Sequence, residues 1–235
     1  MDTENPNHLI IWLDKHIEDP EWCQQMKKAF STQTDPKNPI PVKLSGNDND
    51  SLFNIASHMP VHFEGVRFLL AAHKNIESCL QCFEQNQDKR IFFITSGSLG
   101  REAAPIILER FLHMFTDLVT GKPYISIYVF CHHIQYHLEW ALDYRDYIQI
   151  FNFDADLLVR MMRDIGDYYY NESRRLLDTT LPNKPAAYNR LIWARTLYER
   201  YGELERKSMH TELGEINKLL EQVEEELRLS SDVDS

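Results

Sequence analysis

The sequence predicts an α/β fold, a five-stranded doubly wound parallel sheet followed by a C-terminal helical arm. Three observations predict it. Up to about Leu177 the chain carries five short apolar runs: Leu9–Leu13, Val66–Ala71, Ile91–Ile94, Ile125–Phe130 and Tyr147–Phe151. Runs of this length, rich in β-branched and aromatic residues, suit strands buried on both faces of a parallel sheet. Each run is followed by a stretch with helical spacing, the alternation of βα units. Beyond the break Leu181-Pro182-Asn183-Lys184-Pro185 the pattern becomes helical alone.

The elements follow in order. Leu9–Leu13 ends at Asp14, and Pro20 lies just before a helix over 21–30. Residues 33–65 hold Pro36, Pro39, Pro41, Gly46, Pro60 and the cluster Asn47 to Asp50, so they read as an exposed insertion with a short helix at 51–57. The second strand leads through Asn75 into a helix over 76–84, and the third leads through Thr95 to Arg101 into a helix reaching Phe115. The fourth strand ends at Cys131, and the fifth is followed by Asp154, a cap for a helix over 155–170. Right-handed crossovers and five strands favour the flavodoxin-like order 2-1-3-4-5, with 3-2-1-4-5 as the rival. In the favoured order ligands bind where the winding reverses, between the tips after Leu13 and Ile94. The expected domains are therefore 1–177 and an arm over 178–235.

In the arm a helical stretch runs from about Ala186 to Leu229. Leu213, Ile216, Leu220, Val223 and Leu227 recur at spacings of 3, 4, 3 and 4, the seam of a heptad. Leu197, Tyr201 and Leu204 continue it upstream, with Gly202 and the offset to Met209 interrupting the register. Such a seam wants a partner, which is either another helix of the same chain, a second copy or another protein.

Composition narrows the function classes. With 25 basic and 36 acidic residues the net charge is −11, which disfavours unspecific binding to nucleic acid or anionic membrane. Thr211 to Ser235 holds eight acidic and two basic residues, so the tail alone carries −6. The longest apolar stretches fall far short of the ~20 residues that span a bilayer. Four cysteines are few for a secreted scaffold, and Met1 to His8 is polar, so the expected location is cytoplasmic.

The most suggestive chemistry lies at Ser96, Gly97, Ser98, Gly100 and Arg101, where a strand enters a helix. Glycines let backbone N–H groups approach an anion, the helix start adds positive potential, and Ser98 and Arg101 offer a hydroxyl and a guanidinium. The segment lacks the Lys-Ser/Thr of a P-loop and the glycine spacing of a dinucleotide fingerprint, and a tight turn into a capped helix is the favoured account of it. Asp14 follows the first strand, as a ligand-orienting carboxylate or a turn former. Cys131, His133 and His137 have spacing for zinc but no further local ligand, and Cys131 as a nucleophile would need a histidine base. Cys79 and Cys82 spell CxxC, but Cys79 falls one turn inside its helix, so both read as core residues. Trp22, Trp140, Trp193 and Tyr168 to Tyr170 fall at helical positions and read as packing residues. No catalytic set is complete, and neither a cofactor nor a metal is expected.

With the strands so placed, residues 8 to 170 resemble the receiver-like and TIR-like group of signalling domains. A receiver would place a phosphoacceptor Asp where this sequence has Thr95-Ser96. A catalytic TIR domain would use a helical Glu to cleave NAD, for which Glu109 is the positional match, without the tryptophan and cysteine usual beside it. Ile91 to Gly100, Ser126 to Cys131 and His137 to Ala141 are also similar to phrases in an uncharacterised N-terminal domain of expanded rotifer protein families that carry tetratricopeptide or ADP-ribosyltransferase modules. The resemblance implies an adaptor or sensor. The expected function is a non-catalytic signalling or protein-interaction module that contacts a protein partner or itself through the C-terminal helix. The alternative is a nucleotide-binding or NAD-cleaving enzyme with an anion site at Asp14, Ser96, Gly97, Ser98, Gly100 and Arg101.

Overall fold

The computed structural model describes residues 8–33, 40–42, 44, 58–117 and 120–233, the last four as backbone alone. The chain divides into two compact units between Leu158 and Val159. Within the first unit the strands are β1 (His8–Leu13), β2 (Phe30–Ser31), β3 (Met59–Phe63), β4 (Val66–His73), β5 (Arg90–Ser96), β6 (Ile127–Phe130) and β7 (Ile148–Phe151). Helices α1 (Gln24–Ala29), α2 (Ile76–Gln85), α3 (Gly97–Phe111) and α4 (Leu138–Leu142) lie between them. All five apolar runs are strands.

The strand count and order correct the five-strand expectation. The sheet has seven strands in the order β2-β3-β4-β1-β5-β6-β7. Pairing is parallel from β4 through β1, β5 and β6 to β7, and antiparallel where β2 and β3 extend the sheet beyond β4. The added strand β3 comes from the segment read as an exposed insertion. It folds back on β4 through Glu64-Gly65, both at positive φ (48° and 84°), the backbone of a two-residue hairpin whose twist matches its strands. Val61 and Phe63 of β3 are buried, as are Val42 and Leu44. Prolines and the Asn/Asp cluster obscured that alternation in the sequence. The helix expected at 51–57 lies outside the described residues.

β1 is buried along its whole length. Leu9, Ile11 and Leu13 face a core shared with Cys79, Cys82 and Phe83 of α2 and Ala103, Ala104, Ile107 and Phe111 of α3. Phe83 packs there against Phe93, Phe111 and Phe115 with ring centroids 5.4 to 6.0 Å apart. On the opposite face Trp12, Phe30, Phe63, Phe68 and Phe92 make successive ring contacts. Alternate residues of each strand thus feed two apolar layers, the requirement of a parallel sheet.

α5 (Asp154–Leu177) crosses the division, and α6 (Lys184–Glu205) and α7 (His210–Val233) complete the second unit. The single helical stretch read from Ala186 to Leu229 is corrected to these two helices. Arg206 adopts a left-handed conformation (φ 51°), and the backbone N–H groups of Arg206 and Lys207 turn back to the Gly202 carbonyl. A Cβ on Gly202 would stand 3.0 Å from the Lys207 carbonyl oxygen, so glycine permits the reversal. α6 and α7 run antiparallel, with Lys184 paired to Glu226 and Tyr188 donating to Glu224. Arg163 of α5 pairs with Glu212, and Tyr170 donates to Glu215.

The heptad seam is satisfied inside this unit, where Ile216, Leu220 and Val223 are buried. Among the described residues no helix is long and apolar enough to cross a membrane. Ile216→Ala should destabilise the second unit by about 3 kcal/mol, read as a lower urea midpoint by circular dichroism, with the sedimentation coefficient of the folded chain unchanged.

Candidate functional site

The carboxyl ends of β4, β1, β5 and β6 form one rim. Their last pairings, His73 with Leu13, Leu13 with Thr95 and Ser96 with Phe130, bring together the loops that leave these strands. Asp14 and Ser96 each lie one residue beyond the paired Leu13 and Thr95, so they share this rim as the register requires.

Asp14 is 1% exposed and its carboxylate faces its own loop. Oδ1 accepts from the His16 backbone N–H at 2.8 Å and Oδ2 from the Trp22 indole N–H at 2.9 Å. Its own N–H donates to the His73 carbonyl at 2.9 Å. The Trp22 ring then meets His132 edge-on, 5.7 Å between centroids. β1 and β6 flank β5, so this contact spans the strand end from which Ser96 leaves. Asp14 thus holds the tryptophan that bridges the rim.

Behind Trp22, Cys23 caps α1 in a left-handed conformation (φ 51°). Burial, and then the nearby Asp14, push its thiol up to about 12. Lys27 is buried, its ammonium donates to the Asp19 carbonyl, and burial holds its pKa below the ordinary lysine value. Neither position declared itself in the sequence, because each depends on a turn that folds back under the rim.

Ser96 ends β5 and precedes α3, with φ −72° and ψ 155°, and its side chain makes no capping hydrogen bond. Gly97 and Gly100 are buried, whereas Ser98 and Arg101 are exposed. The two glycines answer to packing. A Cβ on Gly97 would lie 2.6 Å from His137 Nε2 and 2.8 Å from Cys131 Cβ. On Gly100 it would lie 2.8 Å from Thr95 Cγ2. Close approach of backbone to neighbouring side chains is what glycine permits here.

The residues covering this helix start are His137 and Cys131. His137 Nδ1 accepts from the Trp140 indole N–H at 3.2 Å. An indole nitrogen only donates, so Nδ1 carries the lone pair and the proton of the neutral ring sits on Nε2. Burial, then Arg101, hold the imidazole below its ordinary pKa, hence neutral. The nitrogen beside Gly97 is therefore a donor. In this tautomer the ring's lone pair lies on Nδ1, turned toward Trp140. Burial also raises the Cys131 thiol. His133 is exposed and rests on Tyr136. Among the described residues no three His, Cys, Asp or Glu side chains gather as a metal ion would require. The CxxC pair lies in the core, Cys79 well above and Cys82 at about 12, through burial.

At the far end of the rim His73 is 1% exposed, and among the described residues neither ring nitrogen has a hydrogen-bond partner. Burial, then repulsion from His58, lower its pKa to about 4. His58 itself is lowered by burial and by Lys89. A histidine at the end of an apolar strand gave no such signal in the sequence. No protein-family model, curated protein or solved structure matches this chain.

Two outcomes are expected. Because His73 binds its proton more readily unfolded (6.5) than folded (about 4), its contribution is complete above pH 6.5 and is lost as pH falls toward 4. The shift corresponds to roughly 3 kcal/mol, and His73→Gln should flatten that part of a urea-midpoint-versus-pH curve. Gly97→Ala should cost about 1–3 kcal/mol, seen as a lower melting temperature.

Proposed function

We propose that this chain is a cytoplasmic, non-catalytic protein-interaction module of the signalling kind. The observation that carries the reading is that the rim's reactive groups are committed to holding the rim. Asp14 has both oxygens occupied, His137 presents a protonated nitrogen, and Cys23 and Cys131 are held as thiols. A nucleophile needs a base with a free lone pair, and the lone pair of His137 Nδ1 is taken by the Trp140 indole. The α/β unit is the binding body. The apolar seam of α7 is occupied within its own unit, which leaves the α/β unit to make the contact.

A second reading rests on the start of α3. Ser96 leaves the first N–H groups of α3 without a side-chain cap, His137 adds an N–H donor beside Gly97, and Arg101 is exposed nearby. These groups suit the phosphate or carboxylate of a nucleotide.

The two readings separate in one experiment. Incubated with NAD the full chain should release no nicotinamide, and a nucleotide panel should leave its melting temperature unchanged. Turnover of NAD removes the first reading. A rise of about 2 °C or more that disappears in Arg101→Ala establishes the second.

A further inference from the structure

We infer that the outward edge of α4 is a docking surface for a basic amphipathic helix of a partner protein. The inference rests on the interaction-module reading and names its surface. α4 turns Trp140 and Ala141, and the turn after it Tyr144, toward the core formed with α2 and α3. A helix of this length ordinarily spends its apolar residues on that one stripe. Here Leu138 and Leu142, one turn apart, stand on a second edge, 43% and 59% exposed. Tyr136, in the 3₁₀ turn just before α4, is 75% exposed. Exposed leucines one turn apart, with a tyrosine in the preceding turn, offer apolar contacts to the apolar face of an amphipathic helix.

Charge selects the occupant. Glu139 and Asp143 directly follow Leu138 and Leu142 in the chain, and Asp146 lies in the turn after α4. All three are exposed and form no ion pair among the described residues. Arg145 is the one guanidinium among them, leaving the edge acidic. An apolar strip flanked by unpaired carboxylates matches a helix with leucine-like residues on one side and lysine or arginine beside them. The same carboxylates repel an anionic lipid surface.

The test uses the full chain and two labelled 18-residue helical peptides, one of leucine and lysine, the other with glutamate in place of lysine. Fluorescence anisotropy should show the lysine peptide binding with Kd of order 10 μM and the glutamate peptide at least tenfold weaker. Binding should fall at least tenfold in Leu138→Ser/Leu142→Ser, which keeps the charge, and in Glu139→Lys/Asp143→Lys, which keeps the apolar strip. Glu221→Lys/Glu225→Lys, on the exposed side of α7, should leave it unchanged. Equal binding of the two peptides, binding of neither, or loss in the α7 variant without loss in the α4 variants overturns the inference. Should the leucine variant fail to fold, the charge variant decides by the same criterion. A chain that cleaves NAD removes the interaction-module reading whatever the peptides do. A catalytically silent chain indifferent to both peptides removes this surface alone.

Discussion

The structure depends on β1 being buried on both faces while paired in parallel on both edges. A parallel strand gains its neighbours only through crossovers, so β1 waits for β4 and β5, some 60 and 80 residues later, to complete its ladder. Its alternate side chains must then find two separate apolar layers. One is the Phe83-centred core under α2 and α3; the other is the ring succession from Trp12 to Phe92. Helices α2 and α3 and the strands beside β1 are placed by these demands. Even the antiparallel hairpin at the edge serves them, since Phe63 and Phe30 extend the second layer.

From that constraint the character of the rim follows. Parallel strands end together, so the loops after β1, β5 and β6 crowd one edge and must satisfy each other's polar groups. Asp14 does so by taking the Trp22 indole, and His137 by taking that of Trp140. Both bonds withdraw groups that resemble catalytic ones. The glycines of the α3 turn serve the same crowding, because their missing side chains leave room for His137, Cys131 and Thr95. What such an edge offers outward is the surface of its loops and of α4.

The second unit solves its own burial problem by reversal. Gly202 and the left-handed Arg206 return the chain, so α7 lies antiparallel to α6 and ion pairs with α5 and α6 fix its register. The apolar seam that asks for a partner finds one a few residues upstream in the same chain. Intramolecular packing has the advantage of a high effective concentration over any separate molecule.

By itself the sequence determined the five parallel strands, the helices between them, the helical ending and the neighbourhood of Asp14 and Ser96, because these rest on local periodicity and on the rule that parallel strands point the same way. It left unread the hairpin at Glu64-Gly65, whose alternation is broken by prolines, and the division of the arm into two helices, which it marked only by the interrupted register at Gly202 and Met209. Only the tertiary structure decided the proton position on His137, the occupation of Asp14, the isolation of His73 and the burial of the seam. Each is set by a side chain brought alongside by folding, and hydrogen-bond direction and desolvation depend on that neighbour rather than on spacing along the chain.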